Sequence, residues 1–458
     1  MFFAAVSTEQ QGTVINILRT ATMIQESEWA TSGGISTRQS SGSFFFGRTE
    51  LALPRFRAIE KANSVTTPED AVIPFEDAWW ERLERGLLQR FEALHAFMEQ
   101  LAVGKSLPLS LALSGNPVFT EMLRRLAPAI SLTPRPRGRS LRASVVAAWT
   151  WFGATDLLLL PDGSPRVLSH NFSSPSGLER LPQLCHRTPA DMALTIRNTL
   201  FPHGCDYSGE PAFLLEPPNP AADQSTNDFL ASCLIAERVH RGQLRADRGS
   251  LFVLRNGHRE HVRCLVRRID DPFLDPNFFR PDSLIGLPGL VRCWASGETR
   301  LLHAPGTSLL NLQTVVRQVP QMIREFLGQH PLLETARLFE GHRPEELERI
   351  LRHPRDYVFR RCDPAESVRP RIGRTASPGE LTSLVSDLRQ NPSGWCARPV
   401  LPANHGGQHL RVFASYTDRF RLLRAGILQP AQLDGMAPLL IPAETPLGLL
   451  QQPQEEDR

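Results

Sequence analysis

The stretch from Glu76 to Leu101 constrains the fold of this chain more than any other. Trp79, Trp80, Leu83, Leu87, Leu88, Phe91, Leu94, Phe97, Met98 and Leu101 recur at helical spacing. Ile73-Pro74 leads into Glu76 and Asp77, acidic residues that suit the positive end of a helix dipole. So many large apolar side chains on one helix cannot stay in water. The stripe is a packing face rather than a cofactor box, and the helix must lie against the body of the protein.

What it packs on follows from the alternation downstream. Val145 to Leu160, the turn Pro161-Asp162-Gly163, and Arg166-Val167-Leu168 read as strand, tight turn and strand. Phe229 to Ala236 reads as helix, and Leu251 to Leu254 and Val262 to Val266 as strands. Helices return at Leu312 to Leu327, Pro344 to Leu351 and Pro378 to Leu388, the last two with proline in the first turn. Leu410 to Ala414 is the last clear strand. Mixed strands and helices predict an α+β or α/β protein. Pro134 to Arg139 reads as a solvated loop rather than an anion site, and a Pro- and Asp-rich connection spans Glu216 to Asp223.

Length and charge narrow the function classes. The 458 residues allow two or three domains. A net charge of +3 gives no push toward nucleic acid, and no apolar run approaches the roughly 20 residues of a membrane span. The start, Met1 to Val6, lacks the basic flank of a signal peptide. Seven scattered cysteines without a CxxC pair read as reduced thiols, hence a cytoplasmic protein. Only Lys61 and Lys105 are lysines, so any lysine chemistry has two candidates.

Four segments carry a family resemblance: IPFEDAWWERLERGLLQRFEALHAFMEQL from Ile73, DLLLLPDGSPRVLSHNFSSPSG from Asp156, RRIDDPFLDPNFFRPDSLIGLPGL from Arg267 running on into Leu302 to Leu333, and Tyr357 to Phe413. In this order they resemble the circularly permuted type 2 ATP-grasp family, a bacterial-type, carboxylate–amine ligase-like family. The resemblance implies an ATP-grasp fold with permuted segment order and a pre-ATP-grasp domain. It divides the chain into an unassigned region 1–70, a helix plus metal-side piece 71–200, a pre-ATP-grasp-like α/β domain 201–300, a nucleotide-side subdomain 301–440, and a disordered tail 441–458.

ATP-grasp chemistry needs lysines against phosphates, oxygen ligands for Mg²⁺ and a glycine-rich loop. The family's metal-side E-D-N falls on Ser169, His170 and Asn171, which removes both carboxylates. Its nucleotide-side motifs fall on Gly306, on Asn311-Leu312-Gln313, and on Arg360 with Arg361 beside it. The glycine-rich loop falls in Asp363 to Arg374, with one glycine, Gly373, and the late "AQP" reads Ala397-Arg398-Pro399. Arg267, Arg268, Asp270, Asp271 and Asp275 form either a substrate-binding charge cluster or an internal salt-bridge and capping network, the structural role being favoured. Cys185-His186 is not a nucleophile pair, since adjacent residues seldom face each other.

The expected function is therefore an ATP-grasp-fold pseudoenzyme acting as a binding or scaffold partner, with neither ATP nor Mg²⁺ as cofactor. The resemblance implies alpha-E or transglutaminase-like proteins as partners. The alternative is an active ATP-dependent carboxylate–amine ligase whose rebuilt site uses Arg360, Arg361, Asn171 and His170.

Overall fold

The computed structural model describes residues 72–74, 76–108, 111, 113, 115–133, 149, 152–184, 188–200, 212–218, 224–362, 370–400, 408–416, 420–430 and 448–451. The readings placed on residues 1–70, on Pro134 to Arg139, on Cys185-His186 and on 363–369 of the loop lie outside these residues.

Strand β1 (Val72–Pro74) precedes helix α1 (Asp77–Ala102), the helix expected from the apolar stripe, and α2 (Pro117–Ile130). The second helix was not foreseen. Asn116 caps it by accepting the Phe119 N–H at 3.0 Å, and Pro117 occupies its first position. Strands β2 (Phe152–Leu159) and β3 (Pro165–Asn171) form the predicted hairpin, its turn held by Asp162 accepting from Ser164. Helix α3 (Pro189–Leu200), β4 (Ala212–Leu215), α4 (Gln224–Leu234) and β5 (Ala236–Val239) follow. The helix expected to reach Ala236 stops at Leu234, where Ile235 turns to φ +50° and the chain enters β5. Strands β6 (Leu244–Asp247), β7 (Ser250–Arg255) and β8 (His258–His261) make an antiparallel meander.

After β9 (Cys264–Arg267) and β10 (Arg300–Leu302) come helix α5 (Gln313–Met322), which unwinds into a π turn at Ile323–Leu327, then β11 (Glu334–Thr335) and β12 (Phe339–Glu340). Helix α6 (Pro344–Arg352), β13 (Tyr357–Arg361), β14 (Arg371–Ile372), α7 (Pro378–Gln390) and β15 (Trp395–Pro399) form the next unit. A Ser377/Glu380 capping box starts α7. Strands β16 (Gln408–Tyr416), β17 (Phe420–Pro430) and β18 (Gly448–Gln451) complete the described chain.

Three further sheets accompany the meander. A seven-stranded sheet has the order β1-β18-β17-β16-β2-β3-β11, a parallel sheet runs β10-β9-β4-β5, and an antiparallel sheet runs β12-β15-β13-β14. Every residue of β2 is buried, because the large sheet is covered on both faces. On one face Leu157 and Leu159 join α1 and α5 through Leu87, Phe91, Val315 and Val319. On the other, Phe152 and Ala154 meet α3 through Ile196 and Leu200. Phe91 of α1 sits edge-on to Phe172 at 4.8 Å and to Phe420 at 5.2 Å, so the helix read first from the sequence is the wedge between these elements.

The sheet pairings cross the linear division of the chain. Strand β16, assigned with the nucleotide-side subdomain, pairs with β2 of the earlier piece, β17 pairs with β16, and β18 within the expected tail pairs with β17 and β1. A permuted chain returns late to a sheet it began early, so contiguous ranges do not coincide with spatial units. Among the described residues no helix is long and apolar enough to cross a membrane.

Candidate functional site

The site expected from the matched positions lies where β3 approaches the β12-β15-β13-β14 sheet. Side chains alternate along β3, so Ser169, His170 and Asn171 have separate environments. Ser169 donates to Asp156 Oδ2 at 2.7 Å. Asp156 is also held by Arg411 through two nitrogens, at 2.7 and 3.0 Å, and by His409 Nε2 at 3.1 Å. Burial alone would raise the Asp156 carboxyl, but Arg411 and then His409 outweigh it and hold it well below the usual carboxylate range. The acid is thus a buried structural anion.

His170 is sealed inside. Its ring stacks on Phe172 at 5.0 Å, Nε2 accepts from Arg90 Nε at 3.3 Å, and Nδ1 lies 3.0 Å from Thr155 Oγ1. The Arg90 bond assigns the proton to Nδ1, which donates to Thr155. Burial, with the Arg90 charge acting in the same direction, pushes the ring's pKa well below its ordinary value. Arg90 itself is fully buried, and the groups it donates to (His170, Thr335 and the Val316 carbonyl) are neutral. Burial lowers its pKa to about 9. Asn171 is spent on its own turn, accepting from the Ser173 and Ser174 N–H groups and donating to the Ser174 carbonyl. Asn311, at the first position of the matched D-D-K, accepts from Phe172 N at 2.8 Å and donates to Ser173 Oγ.

On the opposing sheet, β13 and β15 pair with Val358 against Arg398 and Arg360 against Cys396. Val358, Arg360, Cys396 and Arg398 therefore share one face, and Tyr357, Phe359, Trp395 and Ala397 share the other. The second face packs on α6 and α7 through Ile350, Leu384 and Leu388. Arg361 belongs to this helix-covered face, its guanidinium 4.5 Å from the Trp395 ring, so only Arg360 of the predicted pair faces the cleft. Period-two alternation separates the two neighbours.

Arg398 closes the cleft. It is buried and donates to Leu168 O on β3 at 2.6 Å, to Ala336 O at 2.8 Å and to Gln313 Oε1 at 2.7 Å. Burial lowers its pKa to about 10, and Arg360 adds in the same direction against the Cys396 sulfur. Gln313 thus acts as an acceptor for an internal arginine. Gly306 does not line the cleft: at φ +99°, a Cβ there would lie 2.5 Å from Ile130 Cγ1, so the glycine lets a turn pack on α2.

The charged side chains of the Arg267 to Asp275 segment bond to the protein's own groups. Arg267 is fully buried, pairs with Asp271 at 2.8 Å and donates to the His303, Ile269 and Ala304 carbonyls and to Thr307. Asp271 also accepts from the Ser308 N–H and hydroxyl. Arg268 reaches Asn227 and the Pro175 carbonyl. Asp270 accepts from Ser173 and Ser174, joining this segment to the Asn171 turn. Asp275 accepts from the N–H groups of Asn277, Gly289 and Val291.

The donor set does not fit Mg²⁺. A hard cation takes free carboxylate or carbonyl oxygens; Ser169 is bonded to Asp156, the acceptor nitrogen of His170 is taken by Arg90, and the Asn171 oxygen accepts two backbone N–H groups. No group of three or more His, Cys, Asp or Glu among the described residues could hold a metal ion.

The sequence matches the profile of circularly permuted ATP-grasp type 2 proteins over residues 182–429, more than half of the chain. The chain belongs to that family. The matched range takes in the Arg267 network, Gly306, Gln313, Arg360 and Arg398, and begins after Ser169 to Asn171. An uncharacterised protein of Synechocystis sp. is 28% identical over 71% of this chain and 69% of its own length. Uncharacterised proteins of Mycobacterium leprae and Mycobacterium tuberculosis are 26% and 27% identical, each over 70% of this chain. This chain spans 58% and 59% of those two relatives. A crystal structure from Methylobacillus flagellatus KT, named as a candidate gamma-glutamylcysteine synthetase, aligns at 11% identity and a TM-score of 0.34 over 73% of this chain and 88% of that one.

Two features around the matched positions were harder to see from sequence. Asp156 is the first residue of the recognised DLLLL segment, but its partners His409 and Arg411 lie 253 and 255 positions later. Two basic residues at period two inside an apolar strand are the signal that could have found them. Arg90 was legible only as part of a helix pattern.

Proposed function

We propose that this chain is a catalytically impaired ATP-grasp protein, a pseudoenzyme that works as a binding or scaffold partner and uses neither ATP nor Mg²⁺. The observation that supports this most is Arg398. Its guanidinium occupies the approach between β15 and β3 and spends its hydrogen bonds on Leu168, Ala336 and Gln313. Around it, Ser169, His170 and Asn171 are committed to internal partners. A transferring phosphoryl group needs preorganised cations and a metal in that space. In this reading the fold is kept as a surface, and the partner, on the family resemblance, is an alpha-E or transglutaminase-like protein in the cytoplasm.

A second reading, an active carboxylate–amine ligase with a rebuilt site, draws on one observation. Arg360 stands close enough to the buried Arg398 to depress its pKa, and a bound anion would relieve that repulsion. Titration calorimetry with ATP, with and without Mg²⁺, separates the two. Impairment predicts no Mg²⁺-dependent heat at micromolar concentration; a Mg²⁺-dependent isotherm there supports the ligase.

A further inference from the structure

The small antiparallel sheet carries a hollow on the side away from Arg398. Arg371 of β14 stands opposite Phe359 in the ladder, so it shares the face that α6 and α7 cover. Between β14 and the first two turns of α7 lies a cavity of about 470 Å³, within the size range of small-molecule sites. Leu384 and Pro370 give it an apolar wall, Thr375 and Ser383 give it hydroxyls, and Arg371 and Glu380 give it opposite charges.

Both charges are set in place by the protein, and both keep capacity for a ligand. The Arg371 guanidinium lies 5.2 Å from the centre of the Trp395 ring and donates through Nη1 to Asp387 Oδ2 at 2.7 Å. That bond engages one nitrogen of a planar fork with five N–H donors, a shape suited to a carboxylate. Glu380 closes the α7 capping box: its Oε2 accepts from the Ser377 N–H at 2.8 Å and from the Ser377 hydroxyl at 2.7 Å. The backbone bond first, and the hydroxyl bond second, hold the Glu380 carboxyl below its ordinary value. It is therefore ionised at neutral pH, with Oε1 left for a cation.

The two signs come from different walls, the cation from a strand and the anion from a helix start. A simple anion entering the cavity meets Glu380, and a simple cation meets Arg371, so each is opposed by a like charge. A ligand carrying both signs satisfies both walls. We propose that this cavity binds a small zwitterion with an apolar side group. Its carboxylate sits on Arg371, its ammonium on Glu380, and its apolar group against Leu384 and Pro370. The site is separate from the cleft that Arg360 and Arg398 face, so it stands whether or not the chain binds ATP.

The experiment titrates the native full chain with L-leucine, L-leucine methyl ester and 4-methylpentanoate, read by saturation-transfer difference NMR at constant ionic strength. Leucine carries both charges; the ester lacks the carboxylate and the acid lacks the ammonium. The expected result is a saturable leucine signal with each analogue several-fold weaker, the scale of one partly exposed ion pair. Glu380→Gln keeps a capping-box partner for Ser377 and should bring leucine down to the level of 4-methylpentanoate. Ser383→Phe, at an exposed helix position, should fill the hollow and remove all three signals. No saturable leucine signal, equal affinity for the three, a preference for either analogue, or leucine binding untouched by either substitution would each overturn the proposal. Should a variant not fold, the three-ligand comparison on the parent protein decides alone.

Discussion

Replacing Arg267 by methionine tests whether the Arg267 network holds the fold together or serves a ligand. The substitution keeps length and apolar volume but removes the cation. Asp271 is left fully buried without its 2.8 Å partner, and the His303, Ile269 and Ala304 carbonyls each lose a donor. Breaking a buried ion pair from one side costs about 3–5 kcal/mol, because the remaining charge is stranded rather than solvated. Each kcal/mol moves Tm by roughly 2–4 °C in a cooperative unit of 150–250 residues, so Arg267→Met should lower Tm by on the order of 10 °C. Differential scanning fluorimetry beside the parent reads this, with the exposed Arg280→Ala as a control that leaves Tm unchanged. If Arg267→Met melts with the parent, the network is not structural, and the cluster returns to being a substrate site.

Two further outcomes follow from the site. His95 and His303 are held by burial at pKa values of about 3, and His170 is held well below its ordinary value. The unfolded chain protonates the same rings near 6.5, so their stability is fully present above pH 6.5 and is lost as pH falls below it. With three extra protons on the unfolded state, the slope approaches about 4 kcal/mol per pH unit between pH 5 and 4; Asp156, depressed in the fold, adds its loss only below about 3.8. Denaturant midpoints at pH 7, 5.5 and 4.5 measure it, and a flat profile contradicts the buried neutral rings. Arg398→Ala should strand the Leu168 and Ala336 carbonyls and cost about 2–4 kcal/mol in all, with faster amide hydrogen exchange along β15; unchanged exchange there would mean that Arg398 does not hold the cleft shut.

Local patterns were the legible part of this molecule. The α1 stripe and the proline-led starts of α6 and α7 are written in neighbouring residues and form where they read, and the β2–β3 hairpin forms with its first strand at Phe152–Leu159 within the longer run read from Val145. Long-range pairing was not legible. β16 joins β2, and β17 joins β16, because the large sheet closes over the whole stretch of chain between Leu159 and Gln408, a relation no local period encodes. For the same reason the site could be named by matching but not assembled. Matching identified Gln313 and Arg398 without showing that one accepts from the other, and it treated Arg360 and Arg361 alike although alternation puts them on opposite faces. Gly306 matched a phosphate motif, yet its φ and its contact with Ile130 answer to packing.

On the proposed function, the interior of this ATP-grasp fold is committed to its own hydrogen bonds at the cost of nucleotide. Titration calorimetry of the full chain with ATP at increasing Mg²⁺ tests this directly. The account predicts no heat that depends on Mg²⁺ at micromolar protein and nucleotide. A saturable Mg²⁺-dependent isotherm, abolished by Arg360→Ala, would contradict it and return the protein to the ligases.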